Sequence, residues 1–122
     1  MNFHHVAIAT PDPARLAAFY EDVLGLPRVR EWPGEGGMRS IWMGCGEGTL
    51  MLERCADPPA VTLFAEKAPG LHLVALRIAP DEREPWRKRL GARLVHETEF
   101  TLYVQDPDGN RVGLSCYDRV PE

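Results

Sequence analysis

Long hydrophobic runs are missing from this sequence. No apolar stretch approaches the roughly 20 residues of a membrane span, and the first residues lack the basic and apolar regions of a secretory signal. The expectation is a cytoplasmic protein with no membrane partner. Cysteine is scarce as well. Cys45, Cys55 and Cys116 form an odd set without C-x-x-C spacing. That argues against a disulfide scaffold or a zinc ribbon and fits a reducing compartment. Each reads as a small buried hydrophobe. A strong charge of one sign is also absent. A net charge of −4 gives no basic face for a nucleic acid. What is present is an apolar fraction of 44%, enough to build one real core and too high for a disordered tail.

The informative feature is a repeat. His5 opens the apolar run His5-Val6-Ala7-Ile8, and His72 opens His72-Leu73-Val74-Ala75-Leu76. A Pro-Asp pair, a helical stretch and a glycine (Gly25, Gly91) follow each run, at nearly equal distances from the histidine. In the first half, residues 3–9 read as a buried strand. Asp12 then serves as N-cap with Pro13 at the first helical position. Leu16, Phe19, Tyr20, Val23 and Leu24 form one apolar stripe, and Gly25 closes the helix in a left-handed conformation. Strands are expected at 28–32, 38–44 and 48–55, separated by glycine-rich turns. The connection 56–69 is rich in Pro, Ala and Asp, with a short helical turn around Val61 to Lys67. In the second half the expected strand 71–79 precedes a helix at 82–90 capped by Asp81, with Pro85 in its first turn. Arg87, Lys88 and Arg89 near its end read as a solvated face. Strands follow near 92–97, 99–105 and 110–117, the last two joined by the turn Asp106-Pro107-Asp108-Gly109-Asn110. Each half is thus β-α-β-β-β. Neither can bury its sheet alone, so the halves must pair within one chain or across a dimer.

Side chains alternate along a strand. Thr49, Met51 and Glu53 therefore share a face opposite Leu50 and Leu52. A carboxylate after Leu-Met-Leu needs a partner. Two histidines and one carboxylate are a known set for divalent metals, and His5, Glu53 and His72 supply one. The other reading of each histidine is a satisfied residue in an apolar strand. His4 is expected to point away from His5, and His96 lies near a strand end. Tyr103 and Gln105 share one strand face, and Ser115 shares a face with Gly113. These three, with Arg39, are candidates to touch a ligand. Arg39 and Trp42 point to opposite faces, and Trp32, Trp42 and Met51 read as core.

Taken together, His5-Val6-Ala7-Ile8, Phe19-Tyr20-Glu21-Asp22-Val23-Leu24-Gly25-Leu26, Leu52-Glu53, Gly70-Leu71-His72-Leu73-Val74-Ala75-Leu76 and Asp106-Pro107-Asp108-Gly109-Asn110-Arg111-Val112 resemble the vicinal oxygen chelate superfamily. That family groups glyoxalase I, bleomycin- and fosfomycin-resistance proteins and extradiol dioxygenases. The resemblance implies an α+β fold of two paired β-α-β-β-β modules (1–55 and 70–122, linker 56–69) forming a cupped mixed sheet, and a homodimer. It implies a divalent ion (Zn, Ni, Mn or Fe) held by His5, Glu53 and His72, with Glu53 or a metal-bound hydroxide as base. A fourth ligand, usually glutamate, is replaced by Gly113, which makes glyoxalase I activity itself unexpected and suggests room for water or substrate there. Two functions follow from the resemblance. One is a metal-dependent lyase, isomerase or dioxygenase acting on a small oxygen-chelating substrate. The other is a metal-free protein that sequesters a drug or metabolite in an aromatic-lined pocket.

Overall fold

The computed structural model describes residues 1–59, 63–67 and 69–118. The chain divides into two units, Met1–Ala60 and Val61–Glu122. Among the described residues no helix is long and apolar enough to cross a membrane.

The first unit runs β1 (His5–Thr10), α1 (Pro13–Asp22), β2 (Arg28–Gly34), β3 (Gly37–Cys45) and β4 (Gly48–Arg54). Its sheet has the order β1-β4-β3-β2, with β1 parallel to β4 and the other pairs antiparallel. The helix starts where the sequence places it. Asp12 accepts the Arg15 amide at 3.1 Å, and Pro13 occupies the first turn, where a missing N–H costs nothing. The buried Thr10 hydroxyl accepts the Asp12 amide and holds the strand-to-helix junction. At the far end Gly25 adopts φ +75°, and its N–H reaches the Glu21 carbonyl at 3.1 Å. Leu16, Phe19, Tyr20 and Leu24 are buried, so the apolar stripe lies against the sheet. Its counterpart is the sheet face formed by Ile8, Ile41, Met43, Leu50 and Leu52, all buried.

The second unit runs β5 (Val74–Arg77), a 3-10 turn (Pro80–Glu82), α2 (Arg83–Leu90), a second 3-10 turn (Gly91–Arg93), β6 (His96–Glu97), β7 (Thr101–Gln105) and β8 (Arg111–Ser115). Its sheet order β5-β8-β7-β6 repeats the first, again with the opening strand parallel to the last. The α+β architecture of two β-α-β-β-β modules with mixed sheets is therefore present.

Three expectations for this unit change. The strand expected over 71–79 is only Val74–Arg77, because its partner β8 pairs from Val112 to Ser115 and offers nothing to residues 71–73. The strand expected over 92–97 shrinks to His96–Glu97, since a 3-10 turn takes residues 91–93. Asp81 does not cap α2. A 3-10 turn precedes that helix, and the Glu82 carboxylate accepts the Ala79 amide at 2.8 Å instead. The Asp106 turn holds as read. The buried Asp106 carboxylate accepts the amides of Asp108 and Asn110 and the Asn110 side chain, and Gly109 takes φ +86°. The helical turn expected around Val61 to Lys67 lies partly outside the described residues. Within Leu63–Lys67 the Glu66 amide closes a turn on the Leu63 carbonyl. Of the cysteines, Cys116 is buried as expected, while Cys45 and Cys55 are half-buried; all three are free. Burial pushes the Cys45 thiol above its ordinary range, so it stays protonated at neutral pH.

Arg87 on α2 is not simply solvated. Its Nε–H donates to Glu97 Oε2 at 2.8 Å and ties the helix to β6. That bond holds the Glu97 carboxyl below the usual 4.5. A depressed carboxyl stabilises the fold fully above its unfolded value and loses that contribution as pH falls through the folded value. The pair lies exposed on the surface, so the effect is small. We expect Glu97→Gln to be slightly less stable than the parent at pH 7, with the difference vanishing near pH 3 or in about 1 M salt. Thermal melts at the two pH values check this.

Candidate functional site

In the first unit the sheet face turned away from α1 gathers polar and aromatic side chains. Across the antiparallel pair, Ser40 stands beside Glu53, Trp42 beside Met51 and Gly44 beside Thr49. On one flank Ala9 lies beside Glu53, Ala7 beside Met51 and His5 beside Thr49. On the other flank Trp32 lies beside Ser40, and Arg30 beside Trp42. Paired residues project to the same side of a sheet, so all of these share one face.

Glu53 is positioned by a relay of hydrogen bonds. Trp42 Nε1–H donates to Ser40 Oγ at 3.0 Å, and the Ser40 hydroxyl donates to Glu53 Oε1 at 2.9 Å. Ser40 is only 4% exposed, so this relay is shielded and fixed. Glu53 itself is half-buried, with its second oxygen left to accept from a ligand or take a proton. The Trp32 and Trp42 rings meet with centroids 4.4 Å apart at a 50° tilt. The Arg30 guanidinium lies 5.7 Å from the Trp32 ring centre. The two tryptophans, read from sequence as core, are half-buried walls of this face. The signal for them was available. The glycine-rich turn at 44–48 makes β3 and β4 a hairpin, and its register sets Trp42 opposite Met51.

His5 lies on the same face but not beside Glu53. It pairs with Thr49, while Glu53 pairs with Ala9. Four strand positions, about 13 Å of rise, separate the two. Met51 occupies the position between them. His72 belongs to the second unit, where it precedes β5 and is exposed. Among the described residues of either unit, no three His, Cys, Asp or Glu side chains gather closely enough to hold an ion. Within the first unit, His5 and Glu53 therefore gain no third donor among the described residues.

His4 also departs from expectation. It does not point away from His5. Its Nδ1 lies 2.9 Å from His5 Nδ1, with the rings in an edge-to-face arrangement. The alternation rule fails because β1 begins at His5 and His4 lies outside the pleat.

In the second unit Tyr103 stands between Gly113 and His96 across the sheet. Phe64, His96 and Tyr103 form a ring cluster with centroids 5.5–5.6 Å apart. Gln105 donates to the Gly109 carbonyl and braces the turn. The Ser115 hydroxyl accepts from Thr101 Oγ1 and from the Tyr117 amide. Arg39 lies in the first unit, exposed at the register shift between β2 and β3 and outside the β3–β4 pairing that holds Trp42 and Glu53. Gly113 does not open space. A Cβ there would lie 3.1 Å from Thr101 Cγ2, 3.5 Å from Leu73 Cδ1 and 3.6 Å from Tyr103 Cε1. The expected room for water is filled by these three side chains.

Comparisons with known proteins agree with this architecture. A glyoxalase/dioxygenase from Nostoc punctiforme superposes with a TM-score of 0.79 at 20% identity, covering 97% of this chain and 92% of that one. A mutant of the fosfomycin resistance protein FosX from Listeria monocytogenes, complexed with Mn(II) and 1S,2S-dihydroxypropylphosphonic acid, gives 0.74 at 14% identity, covering 96% and 93%. At such identities the likeness is one of fold. The human Tectonin beta-propeller repeat-containing protein 1 is 28% identical over 98 residues. The match takes in 80% of this chain but only 8% of that relative's length. The family model for the Glyoxalase/Bleomycin resistance protein/Dioxygenase superfamily matches residues 2–114. Fold and family model agree over nearly the whole chain, which belongs to this superfamily, the group of vicinal oxygen chelate proteins.

Proposed function

We propose that the chain is a small-molecule-binding member of the superfamily. It takes a flat conjugated ligand on the Trp32–Trp42 face and orients it through Glu53. The observation that carries this reading is the Trp42–Ser40–Glu53 relay, which sets a fixed carboxylate beside two indole rings on a sheet face that α1 leaves open. Indole faces give area and shape selection, and the carboxylate selects an N–H or O–H donor on the ligand. Proper stacking on one indole contributes about 1 kcal/mol beyond area burial.

A second reading is a divalent-metal lyase or dioxygenase using His5, Glu53 and His72. The matched histidines of the two repeats favour it, as does the Mn(II) in the FosX complex. Calorimetric titration of the untagged protein with a planar amine such as 9-aminoacridine, in EDTA, separates the two. Saturable binding that survives EDTA and weakens about tenfold in Trp42→Ala supports capture on the tryptophan face. No binding of flat probes, together with about one tightly held ion per chain that is lost in both Glu53→Ala and His72→Ala, would replace it with the metal reading. Part of the same proposal is a homodimer, because each sheet ends in edge strands, β1 and β2 or β5 and β6, and edge strands offer backbone groups for pairing.

A further inference from the structure

Arg111, in the second unit, carries a buried charge with no opposite charge to meet it. The residue is 9% exposed, and its guanidinium donates to the carbonyls of Leu63, Phe64 and Glu66. All three acceptors are neutral, and among the described residues no carboxylate forms an ion pair with Arg111. Burying a cation costs desolvation, and a carboxylate offsets that cost better than carbonyls do.

The segment that supplies these carbonyls is lightly attached. The side chains of Leu63, Ala65, Glu66 and Lys67 are exposed, and only Phe64 is tucked in. Its ring packs against His96 and Tyr103, with centroids 5.6 Å from each. The same ring centre lies 5.8 Å from the Arg111 guanidinium carbon, and the Phe64 carbonyl accepts the Arg111 Nε–H at 2.9 Å. One residue thus offers an aromatic ring to two rings and an oxygen to a buried cation.

We infer that Phe64 occupies a binding site for an aryl carboxylate and keeps it closed until such a ligand displaces the segment Leu63–Lys67. The place beside His96 and Tyr103 takes a flat apolar ring, as it takes Phe64. The Arg111 fork takes two oxygens in one plane, which a carboxylate offers and a single carbonyl does not. The short span from ring centre to guanidinium sets the acid on the ring itself or one carbon from it. Binding replaces three neutral acceptors by a charged one, and the freed carbonyls turn to water. Little packing is lost when the segment lifts, because its other side chains already lie in solvent. Apparent affinity is reduced by the fraction of molecules in which the segment is down, so weakening the segment tightens binding.

The test is titration of the full chain with phenylacetate and with phenylacetamide, its uncharged counterpart, followed by nuclear magnetic resonance. The expected result is saturable binding of phenylacetate, about tenfold tighter in Phe64→Ala, where the ring's place is vacant. Phenylacetamide binds about tenfold more weakly than the acid. Phenylacetate also speeds trypsin cleavage after Lys67 in the parent, because it lifts the segment. Equal affinity in Phe64→Ala and the parent overturns the site. So does equal affinity for acid and amide, or cleavage after Lys67 that phenylacetate slows or leaves unchanged. The acid–amide comparison and the cleavage assay use the parent chain, so neither depends on a variant folding. The tryptophan-face reading stands or falls separately, because its test turns on Trp42 in the first unit.

Discussion

A glutamate introduced at position 113 is expected to lower the melting temperature by about 10 °C and to create no metal site. The family resemblance makes the opposite tempting, since it places a carboxylate there and suggests that glycine left a gap. The packing says otherwise. Gly113 is buried in β8, between β5 and β7, under Thr101, Leu73 and Tyr103. The first methylene already meets Thr101 Cγ2 at 3.1 Å, tighter than ordinary contact. The rest of the side chain must displace the Tyr103 ring and bring a carboxylate into a site without a partner. Overpacking and desolvation together cost about 3 kcal/mol. In a chain of this size that converts to the stated shift. Gly113→Ala isolates the steric part and should lose about 1 kcal/mol. Calorimetric melts of both variants decide the matter. A glutamate variant that melts with the parent, or that gains a bound ion, would mean the space was open after all.

The second large effect is expected at Arg111. Only 9% of this arginine is exposed, and its partners are carbonyls of one short segment. Nε–H donates to Phe64 at 2.9 Å, and an Nη2 proton reaches Leu63 at 3.1 Å. A further bond goes to the Glu66 carbonyl. The guanidinium also lies 5.8 Å from the Phe64 ring centre. Charged hydrogen bonds of this kind contribute about 1.5–3 kcal/mol each when buried, although the freed carbonyls regain water. Arg111→Met keeps the apolar stem and loses the fork. We expect a net loss of about 2 kcal/mol and cleavage by chymotrypsin at Phe64 at least about tenfold faster. Arg111→Lys should behave nearly as badly, because a point charge cannot reach three carbonyls in a fan. Arg87→Met removes only an exposed pair and serves as the control. Identical cleavage rates in the Arg111 and Arg87 variants would show that the segment does not depend on Arg111.

Arg111 marks where reading from sequence stops. Nothing local announces that an arginine after Asp106-Pro107-Asp108-Gly109-Asn110 will bind a segment over forty residues earlier. Local signals fared better. Asp12, Pro13, the stripe from Leu16 to Leu24 and Gly25 define α1 because each acts within a turn or two. The alternation Thr49-Met51-Glu53 against Leu50-Leu52 gave the right faces of β4, because one side lies under the helix. What it could not give was the row across the sheet. His5 and Glu53 share a face, but the row each occupies depends on register, which sets them four positions apart. The tryptophans were misplaced for the converse reason. Large aromatic residues usually fill cores, and only the hairpin register shows that Trp32 and Trp42 flank Ser40 and Glu53. β5 and β6 came out short because strand length depends on a partner's length, which the strand itself does not encode.

The parallel pairing of each opening strand has a consequence for how the chain assembles during synthesis. His5 waits for Thr49 and Val74 waits for Val112, partners that leave the ribosome about forty residues later. The antiparallel strands between them are neighbours in sequence and can close first. In each unit the strand made first is therefore expected to join its sheet last, and the nascent chain carries its histidine-bearing leading segment unpaired until the final strand of that unit emerges.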